Sequence, residues 1–221
     1  MDVTPVGRPK KERDGKPVLT RESIVATAFR MADEHGVEPL SMRKLAAEMG
    51  VGAMSIYHYV ADRDALMDAL ADEVAAEIDL ERPAGPWTDA ARHLAISTHE
   101  ALIRHPWSIP LWTEAWPGPH RFAAMEALLD ILANADLPHA VADLGFHALT
   151  NHIQGFARQR VAYGQNPTDT PEAQARIEAV LADPRYPHIA QHARYHHEHH
   201  GQVDEFTYVL DLILDGLARS S

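Results

Sequence analysis

Hydrophobic positions recur at helical spacing along the whole chain, and no alternating pattern competes with them. The pattern predicts an all-α protein. Ile24, Val25, Ala28, Phe29 and Met31 form a first buried stripe, which starts behind Thr20, a good N-cap, and ends at Gly36. Ser41 caps a short second helix that turns Leu45, Ala46 and Met49 inward. Gly50 stops it, because glycine takes the left-handed backbone of a sharp turn without steric cost, and Val51 re-enters the core beneath. A third helix turns Ile56 and Val60 inward and leaves Ala53, Met54, Ser55, Tyr57, His58 and Tyr59 facing out. Asp62 caps a longer fourth helix, expected to reach about Leu80, with Asp64 in its first turn where negative charge suits the helix dipole.

Two prolines and a glycine between Glu81 and Pro86 mark a domain boundary. The expected division is an arm over 1–19, a three-helix helix-turn-helix domain with its connecting fourth helix over 20–80, and a larger helical domain over 81–221, which the family resemblance given below makes a ligand-binding and dimerisation domain. Helices in the last are expected at about 87–104, 107–115, 118–135, 138–164, 171–182, 187–199 and 203–219. Their limits are set by Pro106, the Pro117, Gly118, Pro119 cluster, Pro138, Pro167, Pro171, Pro184, Pro187 and Gly201. In the helix over 138–164, Leu144, Ala148 and Ile153 mix with Gly145 and Gly155, and the last helix carries Phe206, Val209, Leu210, Ile213, Leu214 and Leu217. Both faces suit a partner helix, from the same chain or from another.

Charge changes the picture. The chain holds 20 Lys plus Arg against 32 Asp plus Glu, a net charge of −12 that looks hostile to DNA. Residues 1–64 nevertheless hold 10 of each sign, so the whole excess of acid lies beyond them. Arg8, Lys10, Lys11, Arg13 and Lys16 make the arm basic; it is either a contact to phosphate or minor groove, or a solubilising tail. Cysteine is absent, which fits a reducing compartment, and no run approaches a membrane span or a secretory signal core. A cytoplasmic protein is expected.

Short helix, glycine turn and short helix over Ser41 to Tyr59 have the layout of a helix-turn-helix, in which the first helix braces and the second enters the major groove. Any small helical domain contains such a trio, so spacing alone leaves both readings open. Residues 19–70 resemble the DNA-binding domain of the TetR family of transcription regulators, and within it the tetracycline-repressor branch. The likeness is carried by Leu40, Arg43, Lys44, Leu45, Ala46, Gly50, Val51, Tyr57, Val60, Ala65, Leu66, Asp68, Ala69 and Leu70. It implies a homodimer on double-stranded operator DNA, released by a small-molecule effector, with no further cofactor.

By this resemblance Arg43 reads a guanine, a role for which a planar guanidinium is suited because it grips O6 and N7 together. Tyr57 packs on the DNA backbone, and Arg63 stands where the family has a phosphate-binding lysine. Ser55, His58 and Tyr59 offer hydroxyls, rings and polar tips to phosphates or base edges. Ala53 and Met54 depart from the repressor's glutamine and proline, so a different operator is expected. For Arg43 the competing reading is a solvated surface arginine.

All four tryptophans, Trp87, Trp107, Trp112 and Trp116, cluster ahead of Phe122. With the long helix that follows, the family encloses an inducer there, which makes Trp107, Trp112, Trp116 and Met125 candidate walls and His99, His147, Asn151 and Gln154 candidate polar groups. A plain aromatic core with edge histidines is the other reading. The repressor's two magnesium-linked histidines align with Asp79 and Trp112, and tryptophan is no metal ligand, so an apolar or aromatic effector other than tetracycline is expected.

One rival signal stands apart. His188, His192, His196 and His199 fall within about 80 degrees on one helix face, a spacing that can hold zinc, nickel or copper. A metal-binding or metal-sensing protein is therefore the alternative, against an ordinary exposed histidine-rich helix. No nucleophile with a matching base and no glycine-rich phosphate loop is visible, so no enzyme is expected.

Overall fold

The computed structural model describes residues 19–165, 170–199 and 204–220, with the side chains of 163–165 and 196–199 outside the described set. Among these residues all regular structure is helical. By contacts the chain divides into two units, Met1–Leu66 and Met67–Ser221. The sequence placed the division at 81–86, where the helix breakers are. Residues 1–18 of the expected arm lie outside the described residues.

The first unit contains α1 (Arg21–His35), α2 (Met42–Glu48), α3 (Ala53–Tyr57) and the start of α4 (Arg63–Ala75). Its helix ends are fixed by neighbours in sequence. Thr20 and Ser23 form a reciprocal capping box at α1, the Ser41 hydroxyl accepts from Lys44 N–H, and the Asp62 carboxylate accepts from Ala65 N–H at 2.8 Å. Ile24, Val25, Ala28, Leu45, Ala46, Ile56, Val60 and Leu66 are buried together; Phe29 and Met31 are only half-buried.

The second unit contains the rest of α4, then α5 (Trp87–Arg104), α6 (Ser108–Glu114), α7 (Pro119–Ala133), α8 (His139–Gln165), α9 (Pro171–Ala182), α10 (Pro187–His199) and α11 (Glu205–Ala218). The 27-residue α8 is the central post on which α5, α7 and α11 pack. Gly145 is buried there, and a Cβ on it would press on Leu217 of α11 at 3.2 Å, so its small size serves packing within the chain. Gly155 has open space around it.

Helix α4 stops at Ala75, short of the expected Leu80. Its last turns tighten, with Glu77 N–H and Ile78 N–H reaching back three residues. The segment beyond is claimed by α5 and its end. The Glu77 carboxylate accepts from Arg104 and meets His105, Asp79 N–H donates to the Ser97 hydroxyl at 2.7 Å, and the Asp79 carboxylate meets His93.

Candidate DNA interface and effector cavity

The turn between α2 and α3 is built on Gly50, whose φ is 66°. Its N–H donates to the Ala47 carbonyl, and Val51 N–H donates to the Ala46 carbonyl, which is the Schellman pattern that closes a helix on a left-handed residue. The bend sends α3 off with Ile56 fully buried and Val60 beneath it. What remains outside is a continuous face: Met54 is 72% exposed, Tyr57 43% and Tyr59 45%, His58 is exposed, and Ala53 and Ser55 are half-buried at its edge. Aromatic and sulfur side chains exposed side by side are a surface of the kind that contacts a partner.

Arg43 is exposed at the start of α2, and Lys44 with it. Arg63 is exposed too, yet it is not a free arm. Its guanidinium donates to the Val37 carbonyl at 3.0 Å, which ties the first turn of α4 to the loop after α1.

In the second unit a cavity of about 230 Å3 opens among α5, α6, α7 and α8. Of the expected effector residues, Trp112, Met125 and Gln154 line it. Asp79, Trp107, Trp116, His147 and Asn151 do not; Trp116 is 75% exposed, and His147 and Asn151 face solvent. His99 lines a different cavity. The walls that sequence reasoning missed are chiefly Leu94, Leu128, Phe146, Ile153 and Arg121. Thr98 and Thr150 also line it, but each hydroxyl donates to a carbonyl of its own helix and can only accept from a ligand, which leaves Gln154 as the neutral side chain able to donate as well.

Arg121 is the unexpected member. It is only 7% exposed, and its guanidinium donates to the carbonyls of Ala115 and Trp112 at the end of α6 while lying 5.0 Å over the Trp112 ring. Burial lowers its pKa, and Asp72 and then Asp68 oppose that shift; an arginine keeps its charge under these conditions. The same two carboxylates, one turn apart on α4, hold the connector from α6 to α7. Asp68 accepts from Trp116 N–H at 2.8 Å. Asp72, 8% exposed, accepts from the N–H groups of His120 and Arg121 and from His120 Nδ1.

These are the orphan N–H groups of the first turn of α7, whose own N-cap is Gly118. Glycine has no side chain to cap with, and a Cβ at Gly118 would overlap the Asp72 carboxylate. The cap is supplied from α4 instead. No local sequence signal reveals it, since glycine is itself an accepted N-cap residue.

No group of three or more His, Cys, Asp or Glu side chains able to hold a metal occurs among the described residues. Of the histidine face on α10, His188 and His192 are exposed, and the side chains of His196 and His199 lie outside the described residues. Nor is any helix among the described residues long and apolar enough to cross a membrane.

Comparison with known proteins places this geometry. Residues 24–70 match the family of bacterial regulatory proteins described as tetR, and residues 81–220 match the tetracyclin repressor-like C-terminal domain. The HTH-type transcriptional repressor DrrR1 of Streptomyces coeruleorubidus is 33% identical over 224 residues, which cover 94% of this chain and 80% of that protein. Tetracycline repressor protein class D of Escherichia coli is 37% identical over 90 residues, covering 39% of this chain and 41% of the repressor. Among solved structures, ActR of Streptomyces coelicolor in complex with actinorhodin shares the fold, with a TM-score of 0.75 at 24% identity over 92% of this chain and 98% of that one. A glycine-bent helix pair in one unit and a cavity-bearing helical unit after it, each matched to its own domain family, establish that the chain belongs to the TetR family of bacterial transcription regulators.

Proposed function

We propose that the protein is a homodimeric repressor that grips a palindromic operator through Arg43 and the outer face of α3, and lets go when a small apolar or aromatic molecule enters the cavity beside Trp112. The observation that carries the DNA reading is the exposed row of Met54, Ser55, Tyr57, His58 and Tyr59 over a buried Ile56 and Val60. Met54 offers a thioether to a thymine methyl, and the tyrosines offer rings and hydroxyls to the backbone. Selection of bound DNA from a random pool tests it. A palindrome with half-sites about 34 to 36 Å apart, or a multiple of that, is the expected result; an asymmetric single site or no enrichment sinks it.

Pairing is supported by Leu144 at 66% exposure on α8 and by Tyr208 at 61% and Leu212 at 55% on α11, two helices that pack side by side within the chain. Ala148, Asn151 and Gly155 continue the exposed row on α8, leaving room for close approach. Two such pairs would make a four-helix bundle.

The cavity supports a ligand with an aromatic or aliphatic body and one hydrogen-bonding group for Gln154. At about 230 Å3 it is smaller than the roughly 300 Å3 at which typical ligand pockets begin, so a ligand of that size must move a wall. The wall of Trp112 and Arg121 is tied through Asp68 and Asp72 to α4, and α4 begins at Arg63 in the DNA-binding unit. A displaced wall therefore pulls on the helix that leads to the recognition elements, which is how one ligand can favour one dimer geometry over another. Calorimetry with candidate ligands, with and without operator, measures the coupling; equal affinity in both conditions rules it out.

A further inference from the structure

A second cavity, of about 460 Å3, lies among α5, α8 and α11 and shares no lining residue with the first. Ile96, Ile103 and Phe206 give it an apolar side, and His99 and Arg160 a polar one. His99 is 8% exposed, and its ring is fixed by stacking on Phe206, with centroids 3.9 Å apart and planes 11° from parallel. His152 also stacks on Phe206 and bonds the Phe206 carbonyl through Nε2 at 3.0 Å. The Nε2 of His99 has no such outlet. It is buried without a hydrogen-bond partner among the described residues, a condition that protein interiors rarely leave unanswered.

The charges at the rim narrow what can answer it. Arg104 is held by the Glu77 carboxylate at 3.0 Å, and Asp204 caps α11 by accepting from the N–H and hydroxyl of Thr207. Arg160 has no ion pair among the described residues and acts on His99 electrostatically. Burial first, and that charge second, push His99 down to about 4, so at neutral pH the ring is uncharged and can present N–H at Nε2. That nitrogen has almost no accessible surface, so a carboxylate held by Arg160 reaches it once the ring or a neighbour shifts, and then satisfies both groups as a charge-assisted pair. The exposed Glu100 at the same rim disfavours a second acid on the ligand.

We propose that this cavity binds a small monocarboxylate with an apolar body, its carboxylate bridging Arg160 and Nε2 of His99 and its body lying along Ile96, Ile103 and Phe206. The site is separate from the effector cavity at Trp112, and neither needs the other to be right. The test uses the full chain with isotope-labelled histidine, phenylbutyrate as probe and phenylbutanol as its uncharged counterpart. The imidazole signals of His99 are identified by their loss in His99→Gln. Phenylbutyrate should shift them saturably, phenylbutanol should bind about tenfold more weakly or worse, and Arg160→Gln should weaken the acid by about tenfold while leaving the alcohol alone. Trp112→Leu should change neither. Arg160 is exposed, so its variant should fold, and an unaltered circular dichroism spectrum checks this. An unmoved His99 signal, equal affinity for acid and alcohol, indifference to Arg160→Gln, or loss of binding in Trp112→Leu would each overturn the proposal.

Discussion

Local caps serve both units, Thr170 and Asp204 capping α9 and α11 in the second, but only there among the described residues is a helix start also capped from far along the chain. In the first, caps are local: Thr20 with Ser23, Ser41 with Lys44, Asp62 with Ala65, and Gly50 closing α2 on residues three and five positions back. In the second, the start of α7 is capped by a carboxylate 48 and 49 residues away, and the end of α6 is bonded by an arginine from α7. Local caps fix the helix ends of the first unit through residues within five positions of one another. The remote cap ties the cavity wall to α4, the link on which the proposed ligand response relies.

The sharpest way to break that comparison is Asp72→Ala. It leaves two backbone N–H groups at α7 without acceptors and should cost about 3 kcal/mol of stability, read as a fall in Tm on the order of 6 to 12 °C. Operator affinity of the protein that remains folded should change as well; a mutant with an unchanged Tm and unchanged ligand response would show that the remote cap carries nothing.

Acid is the next largest lever, and it acts on the second unit. Burial lowers the pKa of His99 to about 4 and lowers that of His152, so the native state refuses protons that the unfolded chain accepts near 6.5. Stability is therefore full above pH 6.5 and falls as pH drops from there towards 4. For His99 the loss is on the order of 3 kcal/mol. Thermal melts of His99→Gln across that window should show a visibly flatter pH dependence than the parent; parallel curves would remove His99 from the account.

In the first unit, Gly50→Ala places a Cβ at a φ of 66° and should cost about 1 to 2 kcal/mol, with operator binding weakened and the ligand affinity of the cavity unchanged. Arg43→Ala should lose about 1 to 3 kcal/mol of discrimination between operator and scrambled DNA, and equal losses on both would deny it a base-reading role. The smallest effect is Arg63→Ala. It should weaken binding to every sequence and reduce the slope of log affinity against log salt by about 0.9. If the slope holds while Tm falls, the bond to Val37 is all that Arg63 contributes.

The same contrast explains what could be read in advance. Thr20, Ser41, Gly50 and Asp62 announce helix ends through chemistry within five residues, and the structure places helix ends there. The exposure of Met54, Tyr57 and Tyr59 follows from the period set by Ile56 and Val60. The end of α4 was not legible, because Glu77 and Asp79 are drawn off the helix by Arg104, His105, His93 and Ser97, all on α5 or at its end. Nor was Arg121: its charge suggests a surface residue, and only two carbonyls and a tryptophan ring brought together by the fold make burial tolerable. Of the tryptophan cluster only Trp112 lines the cavity, since Trp116 follows a bend that turns it outward while Phe146, from α8, turns in.

The bare α-carbon at position 118 carries an evolutionary corollary. A methyl there would overlap the carboxylate at 72 where it now stands, so position 118 cannot grow unless residue 72 moves or shrinks. A descendant that gave 118 a self-capping serine and shortened residue 72 would loosen the cavity wall from the helix that leads to DNA. Such a paired exchange should yield a protein that still folds but has gone deaf to its ligand.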